Sequence, residues 1–311
     1  MKKFTIVFSA ILMLTVSVKK ASAQYYFYDN NHYDNPLTFE LGGSIGAMNC
    51  LTDLGGNKGI GKKFVKDLNL GKTHPAGSIS LTAMYQYMFA LRLEATFGQV
   101  SADDKVLKKV APTTYGRYER NLSFRSKITD FMLGLEIHPL YIINSYSDDD
   151  DKEPPLFSPY ILAGVGFFSF KPQAKLNNKW IDLQPLRTEG QGLPGYEDRQ
   201  PYKLNQMNIP LGLGVKYDIG SALSLRAEFV YRKLNTDYLD DVSTEYVDPS
   251  VYDGFTLAKR QLALDLNARQ KELDNTYVVN AGDQRGNPKN KDAFFTFNIK
   301  IGYTFGRERI R

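Results

Sequence analysis

Residues Phe295 to Phe305 read Phe-Thr-Phe-Asn-Ile-Lys-Ile-Gly-Tyr-Thr-Phe. Every odd position is large and apolar, and every even position is polar or glycine. A strand points successive side chains to opposite faces, so this segment has one greasy face and one wet face. It lies near the C-terminus and ends in an aromatic residue, the form expected of a strand that closes a membrane barrel. Phe297, Ile299, Ile301, Tyr303 and Phe305 form its predicted insertion signal.

The same alternation recurs up the chain. Leu37, Phe39, Leu41, Gly43 and Ile45 alternate with Thr38, Glu40, Gly42 and Ser44. Ile79, Leu81, Ala83, Tyr85 and Tyr87 stand against Ser78, Ser80, Thr82 and Gln86. Leu91, Leu93, Ala95 and Phe97 stand against Arg92, Glu94, Thr96 and Gly98. Phe131, Leu133, Leu135 and Ile137 oppose Asp130, Gly134, Glu136 and His138. Ile161, Ala163, Val165 and Phe167 oppose Gly164 and Gly166, a weaker polar face. Ile209, Leu211, Leu213, Val215 and Tyr217 oppose Asn208, Gly212, Gly214 and Lys216. Leu225, Ala227, Phe229 and Tyr231 oppose Ser224, Arg226, Glu228 and Arg232. With the closing segment this predicts an all-β fold: an eight-stranded, antiparallel, up-and-down transmembrane β-barrel spanning residues 37–305.

Short and long connections alternate, as in a meander. Turns near Phe89 and Ala90 and around Gly220 and Ser221 are brief. The stretches Thr52–Pro75, Ser101–Leu122, Lys171–Gln206 and Asn235–Lys291 are long and are expected on the extracellular side. The periplasmic connection Pro139–Pro159 breaks the pattern, being long and acidic. Within the last outer loop, Phe255–Leu273 has helix-forming composition, with Leu257, Leu262 and Leu266 near one face, and predicts a short helix over the barrel mouth.

A soluble barrel would show the same period with its greasy face inward. The charges on the wet face argue otherwise. Glu40, Glu94, Asp130, Glu136 and Glu228 balance Arg92, Lys216, Arg226, Arg232 and Lys300. Balanced signs suit a closed lumen, where a lone buried charge would be costly. Glycines on that face leave room for long charged side chains. An eight-stranded barrel is just wide enough for side chains to fill it, so the expectation is a plugged lumen with no pore.

The chain start reads as an export signal over residues 1–23: Lys2 and Lys3, an apolar run Phe4–Val18, and the small-residue pattern Ala21-Ser22-Ala23. Residues 24–36 then form a predicted periplasmic segment with the aromatic run Tyr25, Tyr26, Phe27 and Tyr28, and 306–311 a periplasmic tail. The formal charge of +5 belongs largely to the leader: 39 basic residues less Lys2, Lys3, Lys19 and Lys20 leave 35 against 34 acidic. No nucleic-acid footprint remains. The 20 Tyr and 19 Phe suit the interface girdles of a membrane barrel. The lone Cys50 excludes an intramolecular disulfide and reads as a small packed residue.

Residues for chemistry are sparse. His32, His74 and His138 have no neighbours at metal-ligand spacing. His74 and Ser78 could open a hydrolase constellation at the rim; the plainer reading is a loop histidine and a strand-start serine. Asp148, Asp149, Asp150, Asp151 and Glu153 lack the spaced ligands and glycine turn of a calcium loop and read as a solvated acidic stretch available for periplasmic docking. Asp237, Asp240 and Asp241 form a second acidic group, where a bound cation is the sharper alternative. The expectation is no catalytic residue, no cofactor and no metal.

The loops carry a resemblance. Arg120-Asn121-Leu122-Ser123-Phe124-Arg125-Ser126, Asp182-Leu183-Gln184-Pro185-Leu186, Thr188-Glu189-Gly190-Gln191-Gly192-Leu193, Thr236-Asp237-Tyr238-Leu239-Asp240-Asp241-Val242-Ser243, Tyr246-Val247-Asp248-Pro249 and Arg285-Gly286-Asn287-Pro288-Lys289-Asn290 resemble the Bacteroidota outer-membrane β-barrel family that includes the PorG component of the type IX secretion system. The resemblance implies a non-enzymatic integral outer-membrane barrel that associates with a periplasmic ring of a PorK-type lipoprotein and a PorN-type protein. The other reading is a stand-alone structural barrel whose outer loops meet an external ligand.

Overall fold

The first and last alternating segments pair with each other. In the computed structural model, which describes residues 36–55, 70–109, 115–145, 157–219 and 222–305, β1 (Leu37–Leu51) runs antiparallel to β9 (Ala293–Phe305). Phe39 lies opposite Phe305, and their rings stack at 5.9 Å. Between them come β2 (His74–Tyr85), β3 (Phe89–Asp103), β4 (Ser123–Ile137), β5 (Phe157–Leu176), β6 (Lys179–Asp182), β7 (Asn205–Asp218) and β8 (Leu223–Leu234). Antiparallel ladders run β1–β2, β2–β3, β3–β4, β4–β5, β5–β7, β7–β8 and β8–β9, so eight staves close without an edge. Closure satisfies every strand through its neighbours, the condition for crossing a hydrocarbon layer by strands. Among the described residues no helix is long and apolar enough to cross a membrane.

The predicted phase holds on every stave. Ile45 is 78% exposed, Leu213 63% and Ile301 61%, while Arg92, Glu136 and Arg232 are fully buried. Apolar outside and charged inside inverts the pattern of a soluble barrel. The inward glycines make the room expected of them. A Cβ on Gly302 would stand 2.5 Å from the Glu40 carboxyl carbon, and one on Gly214 would strike the Tyr160 ring at 2.3 Å.

Some details differ from the sequence reading. Tyr87 is not in a strand: Gln86 and Tyr87 take φ of 49° and 60° and form the tight β2–β3 turn. The stretch Lys171–Gln206 is not all loop. β5 continues to Leu176, Asn177 and Asn178 take φ of 47° and 62°, and β6 returns along β5. Paired left-handed residues match strand twist in a two-residue hairpin, and asparagine tolerates them. β2 likewise begins at His74, inside the stretch read as loop.

The staves have 12 to 20 residues, more than the 9–11 or so that a membrane strand requires. Their outer ends rise into a collar whose interior is apolar. Met48, Val100, Phe124, Ile128, Phe168, Phe170, Leu234 and Phe294 point inward there and pack with loop residues Leu183, Leu186, Leu239, Val242, Tyr252 and Leu266 in one buried cluster. The lumen is therefore charged in its lower part and greasy in its upper part. Alternation could not show this, because consecutive positions at the foot of the collar are both apolar, as in Phe167-Phe168.

α1 (Tyr115–Arg120) and α2 (Pro139–Ser145) are short, and α3 (Leu257–Asn267) is the expected mouth helix. Its packed face is carried by Ala263 and Leu266; Leu257, expected on that face, is 82% exposed. The signal 1–23, the segment 24–35, the tail 306–311, the turn at Gly220 and Ser221, and Asp148, Asp149, Asp150, Asp151 and Glu153 lie outside the described residues.

The closing ladder has a direct test. Tyr303 and Phe305 present their rings outward on β9 while their backbone pairs with Leu41 and Phe39. The double change Phe305→Ala with Tyr303→Ser is expected to lower the yield of heat-modifiable barrel several-fold on a gel. Unchanged mobility and abundance would show that this strand does not guide closure.

Candidate functional site: a filled lumen under a loop cap

All ten inward charges named from sequence meet in the lumen. Arg92 is the hub. Its guanidinium reaches Glu228 at 2.5 Å and Glu94 at 3.2 Å and also pairs with Glu136. Lys300 bonds Glu94 at 2.5 Å and lies 3.7 Å from Glu228. Arg226 joins Glu136 at 2.9 Å to Glu40 at 2.7 Å, and Lys216 sits 3.7 Å from Glu40. One level higher, Arg232 Nε donates to Asp130 at 2.6 Å and its other nitrogens donate to Thr296 and Thr96. Each charge contacts an opposite one, which offsets the desolvation that isolated ions would suffer.

Sequence reasoning missed several members. Tyr160 donates to Glu228 at 2.7 Å, with the Arg92 and Arg226 guanidinium groups over its ring at 5.6 and 5.4 Å. Asp218 holds Lys216 at 3.1 Å, and Asn208 donates to Asp130 at 2.7 Å. His138, read as isolated, links Glu136 at 3.2 Å to Ser158 at 3.0 Å. Inward parity was the available signal for His138, Asn208, Ser158 and Tyr160. Below them Tyr141 of α2 stacks on Tyr87 at 5.6 Å and lies edge-on to His138.

Above Arg232 the filling becomes aromatic. Phe294, Phe168, Phe170, Tyr202 and Tyr238 stand in sequence with ring centroids 5.6, 5.3, 6.1 and 4.8 Å apart. They lead into a cap made of the loops. Its fasteners are the quoted loop motifs. Glu189 accepts from the backbone of Ser243 and Thr244, from the Thr244 hydroxyl, and from Arg285 at 2.9 Å. Asp241 accepts from Thr188 and Tyr202, both at 2.5 Å, and lies 3.8 Å from Arg285. Asp104 accepts twice from Arg120, at 2.8 and 2.9 Å, and once each from the Leu122 and Gly55 amides. Arg120 also donates to the carbonyls of Arg285 and Asp53. Gly286 fits because a Cβ there would stand 2.7 Å from Ser243 backbone.

The acidic group at 237–241 divides in the structure. Asp241 belongs to the Arg285 pair. Asp237 and Asp240 join Asp292 and Asp53 instead. Asp240 accepts from the Leu54 and Val242 amides, Asp292 from Leu239, Asp53 from Asn287, and Asp237 from the Ser243 hydroxyl. All these donors are neutral. Burial pushes the Asp237 carboxyl up to about 8 and Asp53 up to about 6. Burial, then the neighbouring aspartates, hold Asp240 and Asp292 well above the usual carboxylate range. Among the described residues no group of three or more His, Cys, Asp or Glu is arranged to hold a metal ion. The cluster instead ties Leu54, before the second stave, to both ends of the last loop. Cys50 is buried beside it.

His74 and Ser78, paired in the hydrolase alternative, bond to different partners. His74 Nε2 bonds Ser101 at 2.7 Å, while Ser78 bonds Ser44 at 2.7 Å.

A closed eight-stave barrel with a lipid-matched exterior and a filled, charged interior is the architecture of a small outer-membrane barrel. No family model and no curated protein matches the chain. Solved structures similar to it include the outer membrane protein OprG from Pseudomonas aeruginosa, 13% identical over 88% of this chain and 97% of that one, with a TM-score of 0.41. Neisserial surface protein A is 7% identical over 87% and 98%, with a TM-score of 0.40. The Ail protein of Yersinia pestis, solved with a heparin analogue, is 10% identical over 86% and 97%, with a TM-score of 0.35. The stave count rests on the hydrogen-bonded ladders and not on these likenesses.

Proposed function

We propose that this chain is a non-enzymatic anchor in the outer membrane for the type IX protein secretion machinery, one that associates with the periplasmic ring of a PorK-type lipoprotein and a PorN-type protein. The observation that carries an anchoring role is the filling of the lumen from α2 to the cap. A barrel packed with ion pairs and aromatic rings offers no path for cargo, so its use lies in holding something at the membrane. The loop motifs at Arg120, Glu189, Asp237–Ser243 and Arg285 support the assignment to that machinery through resemblance.

Contacts to a periplasmic ring must come from what faces the periplasm: residues 24–36, the connection Pro139–Pro159 and the tail 306–311. The connection is acidic through Asp148, Asp149, Asp150, Asp151 and Glu153. Exposed charges mainly tune encounter and specificity. Deleting Ser145–Glu153 is expected to leave the heat-modifiable barrel intact and to reduce recovery of a PorK-type lipoprotein in a mild-detergent pull-down. Changing the four aspartates to serine is expected to reduce it mildly, and more at low salt than at high. Wild-type recovery from the deletion at both salts would remove the connection from the docking surface. No recovery by the wild-type protein would favour the second reading, a stand-alone surface barrel, to which the large ordered cap lends itself.

A further inference from the structure

The outward-facing positions on the collar are not evenly charged. A ring of half-exposed phenylalanines, including Phe97, Phe131, Phe167 and Phe297, circles the barrel below it. Such rings settle at the boundary of the hydrocarbon. Above this ring the outward positions of β1, β2, β7 and β9 carry no basic residue, and β8 carries Lys233. The adjacent staves β4 and β5 carry Arg125, Lys127, Lys171 and Lys175.

Two of these stand in direct opposition. Lys127 is the cross-strand partner of Lys171. Like charges directly opposite on neighbouring strands destabilise a sheet, with Cβ atoms about 5 Å apart. Lys171 is relieved by Asp182 at 2.7 Å, but its side chain remains 55% exposed. Lys127 is exposed and, among the described residues, has no acidic partner within ion-pair distance. Arg125 lies flat against the wall, its guanidinium 3.6 Å over the Trp180 ring and its Nε donating to Gln173. β6 thus braces the patch from the far side of β5.

The height of the patch is set by register. Directly below it Phe131 pairs with Phe167. Lys127 precedes Phe131 by four positions, about 13 Å along a strand and roughly 10 Å in height on a tilted stave. Lysine stems reach several ångströms toward the interface, so their ammonium groups fall at headgroup depth. The wall beneath, with Leu133 and Val165, is smooth and apolar. Two ammonium groups over an apolar wall complement a phosphate group with acyl chains attached.

We propose that Lys127 and Lys171, with Arg125 and Lys175 beside them, form a binding site on the outer wall of β4–β5 for a phosphomonoester on the headgroup of an outer-leaflet lipid. The bound phosphate relieves the Lys127–Lys171 opposition, and the chains lie along Phe131 and Phe167. The site fixes the rotation of the barrel relative to its lipid neighbours. This inference rests on the outer-membrane reading above, and its test separates the two.

The test uses the full-length barrel in mild detergent, with native mass spectrometry to count bound lipid. The probes are diphosphoryl lipid A and the same lipid with both phosphates removed. The wild-type protein is expected to retain the phosphorylated probe at least tenfold more strongly. The double variant Lys127→Gln, Lys171→Gln is expected to lose about tenfold or more of that affinity, at about 1 kcal/mol per lysine near a membrane surface. A cap variant, Lys259→Gln with Lys271→Gln, is expected to bind as wild type. Equal retention of both probes, or unchanged binding by the Lys127/Lys171 variant with its heat-modifiable mobility intact, would overturn the site. Competition by millimolar inorganic phosphate that abolishes binding would also overturn it, by showing a free-anion site. Failure of the wild-type chain to insert into lipid vesicles would instead overturn the membrane reading.

Discussion

Replacing Arg92 with leucine is expected to cost about 3–5 kcal/mol of barrel stability, the penalty for stranding buried charge. Arg92 is the contact shared by Glu94, Glu136 and Glu228, and all four side chains are fully buried. Without it three carboxylates remain in the lumen with Lys300 and Arg226 as their cations. The apparent melting temperature of the folded band on a gel is expected to fall by on the order of 10 °C. Arg92→Lys, which keeps the charge and loses the fork, is expected to fall between the two. Planar-bilayer recordings should show no stable open channel for the wild-type protein, and flickering conductance for Arg92→Leu. A steady, large ohmic conductance from the wild-type protein would contradict a filled lumen. An unchanged melt for the leucine variant would deny Arg92 its place as the hub.

The cap is expected to loosen as pH rises. The cluster of Asp53, Asp237, Asp240 and Asp292 holds protons that the unfolded chain releases near the ordinary aspartate value of about 4. Their pKa values are raised on folding, so their contribution is fully present below about pH 4 and is lost as pH climbs through the folded values of about 6 for Asp53 and about 8 for Asp237. The nearest cations, Arg120 and Arg117 at Asp53 and Lys291 at Asp237, are outweighed by burial. Hydrogen-exchange protection at the Leu54, Leu239 and Val242 amides, corrected for intrinsic exchange, is expected to fall by on the order of a hundredfold from pH 5 to pH 8.5. The variant Asp240→Asn with Asp292→Asn removes two of the four carboxyls and should show a shallower profile that exceeds wild type at the alkaline end, with the slope that remains belonging to Asp53 and Asp237. A wild-type profile without slope would mean that the cluster stays ionised at neutral pH.

The sequence was most legible where geometry leaves two choices. A period of two assigns every residue of a stave once one is placed, and Arg92, Glu136 and Lys300 went to the correct side with their neighbours. Contact among them also followed, because an eight-stave lumen is too narrow for ten charges to avoid one another. The collar was not legible, since Phe168, Phe170 and Phe294 point into an apolar interior while their neighbours point into lipid or its boundary. β6 escaped notice because four residues are too few to display a period, although Asn177-Asn178 was a usable turn signal. In the cap, adjacency misled. Asp240 and Asp241 are consecutive, yet one joins a carboxyl cluster and the other an arginine pair, and only their distant partners decide which. The motifs that carry the family resemblance have a concrete task in this chain: they fasten the loops to one another.

Several of those fasteners join residues far apart in the chain. Asn287 donates to Asp53 across 234 positions, and Arg120 reaches the Arg285 carbonyl across 165. Asp292 stands one residue before β9; its carbonyl accepts from the Leu234 amide and its own amide donates to the Thr236 carbonyl, so the stem of the last loop continues the β8–β9 ladder. Contacts of such separation form late, after the shorter loops have already closed. The cap is therefore expected to mature only when the final stave has joined the first. A conformation-specific binder raised against the assembled cap would consequently report the completion of an event that takes place at the last stave.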